Sequence, residues 1–561
     1  METTNKKSVQ LLIDTVWRKG LTRIVISPGS RNAPLILGFS SHPKYTCYSV
    51  PDERAAGFIA LGMAHQTNSP VALVCSSGSA LLNYYPSIAE AFYRKIPLVV
   101  LSADRPERLI DQGDGQTIRQ NNVFANHILF SSQLAEFPSS DIEIELNRKS
   151  LYIALLKAIP SPTEKGGPVH LNIPFEEPLY ETEQLQSEPF TDSGLVKPTS
   201  NIDKSDIKKV AQLWNSSRNI IILVGQKDVN PVLDKHLIQL SKNAVILCET
   251  TSNISVPNSI NCIDRLITPF NEEDRSKFKC DLLITLGDNI VSKRIKAILR
   301  KDKPQNHFHI EVTDMAPDTY QCLTQHLAGT ENEFFENLIP RIHIQDQEYV
   351  SYWSTINTHR KEQQIEFVNS ATFSDFKVMS YLNRHIPSAS ILHLANSTSV
   401  RYAQLFDWSQ ELTFHANRGT SGIDGIVSTA MGTAITTDKI VYLIVGDISF
   451  FYDTNAWWHR HVPSNLKVIV INNNGGGIFR LIDGPHSTGQ LENHFETHQK
   501  NSVKHIALGF GVDYFCATNL IQFQTKFEEL STLKNPGILE VITPQAENAG
   551  ILKDYFKSFN N

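Results

Sequence analysis

The chain has 561 residues, of which 41% are hydrophobic and 20% are charged. At about 100–200 residues per domain, this length predicts three domains. The 52 Lys and Arg residues are outnumbered by 58 Asp and Glu residues, which gives a formal net charge of −6. Because no run rich in Lys or Arg is present either, we expect no nucleic-acid binding.

Apolar stretches are short: residues 440–445, for example, number six, whereas a membrane span needs about 18. We therefore expect no transmembrane segment. The first ten residues are polar and lack the apolar region of a signal peptide. The seven cysteines are scattered singly, which predicts neither a disulfide framework nor a zinc site. These features predict a soluble, cytoplasmic protein.

Short, continuously apolar strands alternate with helices along three blocks of the chain. This pattern is typical of parallel sheets covered by helices on both faces. A polar linker over residues 181–206 and a polar helix over 347–367 separate the blocks. The predicted fold class is α/β, with three parallel-sheet domains at 1–185, 200–345 and 355–561. The predicted strands are 24–26, 45–50, 71–75, 98–101, 220–224, 245–248, 282–286, 309–312, 391–394, 440–445, 468–471 and 538–541.

The strongest chemical signal lies in the third block. Asp447 follows one predicted strand and Asn473 the next, 26 residues later, which is the length of one β-α-β crossover. Both side chains should therefore reach the same carboxyl edge of the sheet, where ligands bind in such folds. A carboxylate, an amide oxygen and a carbonyl of the loop at Gly475 are hard ligands that suit Mg²⁺. The glycines at 475–477 allow the backbone to approach a diphosphate closely.

This Gly-Asp … Asn-Asn spacing resembles the metal-diphosphate motif of thiamine-diphosphate enzymes, whose three-domain layout also matches. The resemblance implies a pyrimidine-binding domain, a middle domain and a diphosphate-binding domain. It also implies that Glu53, after the strand at 45–50, hydrogen-bonds the aminopyrimidine ring and promotes loss of the thiazolium proton. By itself, Glu53 would be interpreted as a first-turn acid that favours the helix dipole, and only the diphosphate motif favours the coenzyme role.

Further motifs, at residues 26–35, 103–106, 116–120, 292–294 and 417–425, resemble one branch of that family, which acts in menaquinone biosynthesis. The branch implies a transferase that decarboxylates 2-oxoglutarate and adds the succinyl carbanion to isochorismate. The pattern of this branch has Asn at the position of Gly115. The sequence therefore leaves open whether this loop still provides a hydrogen bond to the substrate. Both substrates are dicarboxylates, and an arginine can hold a carboxylate through two hydrogen bonds. Each such arginine could instead form a structural salt bridge.

The resemblance implies four overlapping sets of site residues. The catalytic set is Glu53, Ser30, Arg31, Gln116 and Ile423, with Ile423 as the apolar wedge that keeps the coenzyme bent. The metal set is Asp447, Asn473 and Gly475, for Mg²⁺ or Mn²⁺. The set for thiamine diphosphate is Glu53, Ser421, Ile423, Asp447, Ser449, Asn473, Gly475, Gly476 and Ile478. The substrate set is Arg31, Arg105, Gln116, Lys293, Arg294, Ser397, Arg401, Arg418, Ile478 and Phe479.

The coenzyme would lie between the pyrimidine-binding domain of one chain and the diphosphate-binding domain of another. The resemblance therefore implies a homodimer at least, with a homotetramer as a further possibility. Two other hypotheses for the function of the chain stay open at this point. The chain could be another thiamine-diphosphate carboligase or decarboxylase that acts on 2-oxo acids. It could also be an inactive relative that serves as a binding subunit, although the presence of Glu53, Asp447 and Asn473 argues against this.

Overall fold

The structure is a computed structural model. It describes residues 2–560 except 136, 137, 139, 162, 163, 186–201, 314, 315, 345, 346, 482 and 483. Three parallel sheets with helices on both faces organise the described chain, which confirms the predicted α/β class. The predicted linker at 181–206 lies largely outside the described residues. Within the described part of the chain, no helix combines the length and apolar character needed to cross a bilayer.

The first unit is a six-stranded parallel sheet in the order β3-β2-β4-β5-β7-β6. A two-stranded antiparallel sheet pairs β1 with β8, a strand that lies inside the predicted linker because it pairs with the start of the chain. The elements are β1 Glu2–Thr4, α1 Lys7–Arg18, β2 Arg23–Ile26, α2 Ala33–Ser41, β3 Thr46–Ser49, α3 Glu53–Thr67, β4 Val71–Cys75, α4 Ser79–Asn83, α5 Tyr85–Arg94, β5 Leu98–Asp104, β6 Phe130–Gln133, α6 Asp141–Ala158, β7 Val169–Pro174 and β8 Thr182–Gln184.

The middle unit is a five-stranded parallel sheet in the order β10-β9-β11-β12-β13. Its elements are α7 Lys204–Ser216, β9 Ile220–Val224, α8 Pro231–Leu240, β10 Val245–Cys248, α9 Ile263–Ile267, α10 Glu272–Phe278, β11 Leu282–Leu286, α11 Lys293–Lys301, β12 Asn306–Glu311, β13 Gln325–Ala328 and α12 Glu331–Leu338. The long helix α13, Glu348–Ser370, then leads to the third unit. It contains the helix predicted at 347–367 except for its first residue.

The third unit is a six-stranded parallel sheet in the order β15-β14-β16-β17-β19-β18. When the six strands of each sheet are numbered in chain order, the first and third sheets have the same spatial order, 2-1-3-4-6-5. The elements are α14 Asp375–His385, β14 Ile391–Leu394, α15 Thr398–Ala403, β15 Thr413–His415, α16 Ile426–Ile435, β16 Val441–Gly446, α17 Asp447–Tyr452, β17 Leu466–Asn472, α18 Ile478–Leu481, α19 Val503–Gly509, β18 Asp513–Ala517, α20 Leu520–Thr532, β19 Gly537–Ile542 and α21 Gln545–Lys557.

The first and third units pack together through α3 and α16. A Cβ atom at Gly62 would lie 2.0 Å from the carbonyl oxygen of Thr429, and one at Gly432 would lie 2.0 Å from that of Ile59. Only glycine permits so close an approach of two helix backbones. Apolar residues of both units share one core here, including Ile59 and Val427. The two similar sheets are therefore held in a fixed relation by a buried helix pair.

Candidate active site

Asp447 and Asn473 follow the neighbouring strands β16 and β17, so both lie at the carboxyl edge of the third sheet. The Asp447 carboxylate accepts hydrogen bonds from the backbone N–H of Ile448 at 2.9 Å and from Gln499 Nε2 at 3.0 Å. Burial raises the pKa of Asp447 to about 6, while hydrogen bonds from Ile448, Gln499 and the Gly475 backbone oppose the rise. A divalent cation beside this carboxylate would favour its ionised form.

The Asn473 amide is held by a buried carboxylate. Its Nδ2 donates to Asp375 Oδ2 at 2.9 Å, which fixes the direction of Oδ1 on the other side of the amide. At Gly475, φ is +97° and a Cβ atom would lie 2.1 Å from the carbonyl oxygen of Thr497. Only glycine fits there, because both the conformation and the space exclude a side chain. The donor set of carboxylate, oriented amide and tight loop fits a hard divalent ion.

The other residues predicted for the coenzyme surround this edge at different depths. Ser449 is buried in α17, whereas Ile478 and Phe479 are half-buried in α18. Gly476 has a φ of +72° in the loop before that helix. Ser421 and Ile423 are exposed in the loop between β15 and α16, where Ile423 keeps 37% of its surface accessible.

Arg401, in α15, and Arg418, after β15, bring two positive charges together. The Nε atom of each is buried and has no hydrogen-bond partner among the described residues. Burial lowers the pKa of both guanidinium groups, and the Glu249 charge opposes the fall at both, while Arg401 lowers the pKa of Arg418 further. A buried N–H without an acceptor costs about 1–3 kcal/mol. Both residues are only half-buried, so the accessible parts of the two guanidinium groups are candidates to bind anionic groups such as carboxylates. Ser397, which precedes α15, has a φ of +71° and is half-buried.

The middle unit supplies two carboxylates to this region. Glu249 is buried and accepts hydrogen bonds from the backbone N–H of Val291 at 2.6 Å and of Ser292 at 2.7 Å. Burial raises its pKa to about 7, and the Arg418 charge opposes the rise. Asp264 accepts a hydrogen bond from the Ser292 hydroxyl and lies 3.8 Å from the guanidinium of Arg294. These contacts fix the start of α11, where Lys293 and Arg294 are exposed.

The loop that carries Arg418 is anchored by all three units. Arg418 Nη1 donates to Asn396 Oδ1 at 2.7 Å, and its backbone carbonyl accepts from Asn289 Nδ2 at 2.9 Å. The Glu90 carboxylate of α5 accepts from the backbone N–H groups of Gly419 at 2.8 Å and Thr420 at 2.6 Å. The position of this guanidinium group is thus determined by contacts that arise only in the folded chain.

Four further candidates lie at the carboxyl edge of the first sheet. Arg31 is buried, and its guanidinium donates to the carbonyl oxygen of Phe175 at 3.0 Å and to Glu177 Oε1 at 3.3 Å. Arg105 Nε donates to the carbonyl oxygen of Gly115 at 2.9 Å. Gly115 is the residue at which this chain departs from the family pattern, and the contact with Arg105 involves only its backbone. The other two candidates, Ser30 and Gln116, are exposed.

Glu53 is the first residue of α3 and is half-buried. Burial raises its pKa, and the neighbouring Asp52 charge raises it further. Asp52 accepts a hydrogen bond from Asn455 Nδ2 at 2.6 Å, and Arg54 donates to the carbonyl oxygen of Tyr452 at 2.8 Å. Among the residues that the structure describes, no hydrogen bond or ion pair joins Glu53 to Asp447 or Asn473. The structure thus gathers two groups of candidates at two sheet edges.

Several residues that support these groups were not predicted from the sequence. They are isolated acids or amides without a motif, and only their contacts identify them. Glu249 binds the backbone at the start of α11, but it lies 43 residues before Ser292 in the sequence. An acid adjacent to the 292–294 motif could have been predicted to do this, whereas one so distant could not. The residues are Glu90, Glu249, Asp264, Asp375, Asn396 and Gln499.

Two family models match the chain. The N-terminal TPP binding domain of thiamine pyrophosphate enzymes matches residues 6–123, and the C-terminal TPP binding domain matches residues 396–541. These ranges contain the two edges described above. The fold and the two matches define a thiamine-diphosphate enzyme, as the sequence motifs predict.

Curated relatives resemble the chain over nearly its whole length. The 2-succinyl-5-enolpyruvyl-6-hydroxy-3-cyclohexene-1-carboxylate synthase of Flavobacterium johnsoniae is 46% identical, with 98% of each chain covered. The synthase of the same name from Bacteroides thetaiotaomicron is 35% identical, with 99% of each covered. The chain belongs to this synthase family. Benzoylformate decarboxylase from Polynucleobacter necessarius has the same fold, with a TM-score of 0.70 and 15% identity, over 96% of this chain and 99% of that one.

Proposed function

We propose that this chain decarboxylates 2-oxoglutarate with thiamine diphosphate and adds the resulting succinyl unit to isochorismate. The product would be 2-succinyl-5-enolpyruvyl-6-hydroxy-3-cyclohexene-1-carboxylate, an intermediate of menaquinone biosynthesis. Family membership supports this reaction. The observation that carries the substrate class is the pair Arg401 and Arg418, two half-buried arginines whose charges lie close enough to act on each other. Two such groups suit a dicarboxylate better than a neutral or singly charged 2-oxo acid.

We propose that Asp447, Asn473 and the carbonyl of Gly475 hold Mg²⁺ or Mn²⁺, which in turn binds the diphosphate. Ser449, Gly476 and Ile478 would line the same end. The donor chemistry of Asp447 and the orientation of Asn473 by Asp375 support this assignment. When bound, thiamine diphosphate supplies the carbon nucleophile that attacks the 2-oxo group.

We assign the pyrimidine end to Glu53, whose carboxyl group would exchange a proton with the aminopyrimidine ring. Ile423 would press the coenzyme into its bent form, with Ser421 beside it. Because Glu53 has no described contact with Asp447 in this chain, we propose that a second copy completes the site. The minimum active species would then be a homodimer, and a homotetramer is compatible with the same arrangement.

For the substrates, we propose that the two dicarboxylates are held by charge-assisted hydrogen bonds from the arginines. Arg401 and Arg418 would bind carboxylate directly, with Lys293 and Arg294 at the entrance, since both are exposed. Phe479 and Ile478 would exclude water from the reacting atoms. The candidates from the first unit, Ser30, Arg31, Arg105 and Gln116, would complete the substrate site.

We retain 1–185, 200–345 and 355–561 as proposed domain bounds. We also propose that the chain works in the cytoplasm. Its seven cysteines are free, and free thiols suit a reducing compartment.

The decisive experiment is a steady-state assay with thiamine diphosphate, Mg²⁺ and isochorismate, with either 2-oxoglutarate or pyruvate as donor. We expect product from 2-oxoglutarate and at least about a hundredfold lower catalytic efficiency with pyruvate, which lacks the second carboxylate. Equal efficiency with both donors would favour a general 2-oxo-acid carboligase. If neither donor is consumed although the coenzyme binds, the chain is an inactive relative.

A further inference from the structure

His65, Asp228 and His415 meet at the junction of the three units. His65 lies near the end of α3, Asp228 lies in the loop after β9, and His415 is the last residue of β15. Each offers one ligand atom, and these atoms lie within 4.8 Å of one another. His65 Nε2 is 2.9 Å from Asp228 Oδ1. Around one zinc ion, with bonds of about 2 Å, neighbouring ligand atoms are roughly 3–3.5 Å apart, so a small contraction would close the set.

A second observation points to a ligand at this junction. His415 is 6% exposed, and its Nε2 is buried without a hydrogen-bond partner among the described residues. Behind it, the His393 ring lies 5.1 Å away between centroids, and both of its nitrogens are buried and equally unpartnered. Buried polar atoms normally have partners.

One cation lies next to the proposed ligands. Arg94 Nη2 lies 3.4 Å from His65 Nε2, while its Nη1 donates to Asp288 at 2.6 Å. Ion binding therefore requires the guanidinium to turn away from His65, with Asp288 as its remaining partner. The Asp228 side chain is 69% exposed, so the site opens to solvent on that side and a water molecule can serve as a fourth ligand. Two imidazoles, one carboxylate and a water form a ligand set typical of Zn²⁺.

We propose that His65, Asp228 and His415 form a binding site for a divalent transition-metal ion, of which Zn²⁺ is the best match. The sequence predicted no zinc site because the cysteines are isolated. The three ligands proposed here are not cysteines, and they come from distant parts of the chain. The site is separate from Asp447 and Asn473, whose oxygen ligands favour Mg²⁺. A bound ion would connect one residue from each unit and so stabilise their relative arrangement. The proposal does not depend on the function proposed above.

The test is a titration of the full-length chain, freed of metal by a chelator and held in excess Mg²⁺. Co²⁺ binding is followed by visible absorption and Zn²⁺ binding by calorimetry. We expect about one equivalent per chain, intense Co²⁺ bands of low-coordinate geometry, and a Zn²⁺-dependent rise in melting temperature. Asp228→Asn, which changes an exposed side chain, and His65→Asn should each weaken binding about tenfold or more. His359→Asn, on the exposed surface of α13, should leave it unchanged.

His415→Asn should also weaken binding, but it changes a buried residue. If the His415→Asn variant fails to fold, the result for Asp228→Asn decides the test. The proposal is wrong if no saturable binding is found at micromolar Zn²⁺. It is also wrong if the Asp228→Asn and His65→Asn variants bind the ion as tightly as the parent chain. In that case, the His65–Asp228 contact is only a hydrogen-bonded link between the first and middle units.

Discussion

Asn473 donates a hydrogen bond from Nδ2 to Asp375 Oδ2 at 2.9 Å, although the two residues are 98 positions apart. The same Asp375 carboxylate accepts from the Thr543 hydroxyl at 2.6 Å and from Asn548 Nδ2 at 3.0 Å. A fully hydrogen-bonded, buried carboxylate is a rigid support. It holds the amide so that Oδ1 is directed away from Asp375 and is left available for the proposed metal ion.

Asp375→Asn should therefore weaken Mg²⁺ binding without removing a metal ligand. An amide at 375 retains one acceptor oxygen where the carboxylate serves three donors, so Asn473 would lose its fixed orientation. Losses of about ten- to a hundredfold in metal affinity are usual for such supporting residues. The measurement is the Mg²⁺ concentration that gives half-maximal thiamine-diphosphate binding. Thr543→Val, which removes a different donor to Asp375, is the matched control and should have a smaller effect. Equal effects of the two changes would contradict the positioning role.

Glu53→Gln should slow proton exchange at the thiazolium carbon of bound thiamine diphosphate by roughly a hundredfold or more. The amide cannot exchange a proton with the aminopyrimidine ring, whereas the diphosphate anchor at Asp447 is untouched. Coenzyme affinity should therefore stay nearly the same. The exchange rate is followed by NMR after transfer to deuterated solvent. An exchange rate equal to that of the parent chain would rule out the proposed role of Glu53.

Arg401→Ala should damage the handling of dicarboxylates far more than coenzyme binding. A charge-assisted contact between an arginine and a carboxylate contributes roughly 1.5–3 kcal/mol. At about 1.4 kcal/mol per tenfold, catalytic efficiency should fall about ten- to a hundredfold. Separate titrations of 2-oxoglutarate and isochorismate identify the substrate that Arg401 binds. Arg384→Ala, at an exposed arginine of α14, is the control. Unchanged efficiency with both substrates would make Arg401 a structural residue.

Asp453→Asn should flatten the pH dependence of stability between about pH 4 and pH 7. Asp453 is buried, where its carboxylate accepts from the Ser428 backbone N–H at 2.7 Å and from its hydroxyl at 2.8 Å. Burial raises the pKa of Asp453 to about 7 from an ordinary value of 3.8. The unfolded chain therefore loses this proton first as pH rises. The free energy of unfolding falls across that window, on the order of 3 kcal/mol in total.

An asparagine at 453 can keep both contacts, because its oxygen accepts from the N–H and its amide donates to the serine hydroxyl. Only the titration is removed. Urea unfolding of both proteins at several pH values measures the difference, since other titrating groups are common to the two. If the free energies of unfolding of the two proteins change in parallel from pH 4 to pH 7, Asp453 keeps an ordinary pKa.

The sequence by itself determined the class of fold and the principal motifs, because these depend on neighbouring residues. Continuous apolar runs such as Ile220–Val224 and Leu282–Leu286 are strands with the predicted bounds, since strands buried on both faces must be apolar throughout. Edge strands were missed, among them Phe130–Gln133, Thr413–His415 and Asp513–Ala517. They are short or partly exposed, so their sequences need not be apolar. The interior strand Val169–Pro174 was missed as well, because His170 and Asn172 interrupt its apolar residues although both are buried.

Tertiary structure alone decided which distant residues support the site. The 26-residue spacing from Asp447 to Asn473 is local enough to be read as one crossover, but nothing near either residue indicates Asp375. Likewise, Glu249 reaches the start of α11, and His65 reaches His415, only because separate units pack together. Hydrogen bonds and metal ligands need atoms at specific distances, and burial makes those contacts strong. The sequence contains the residues, but the packing of three sheets brings them within bonding distance.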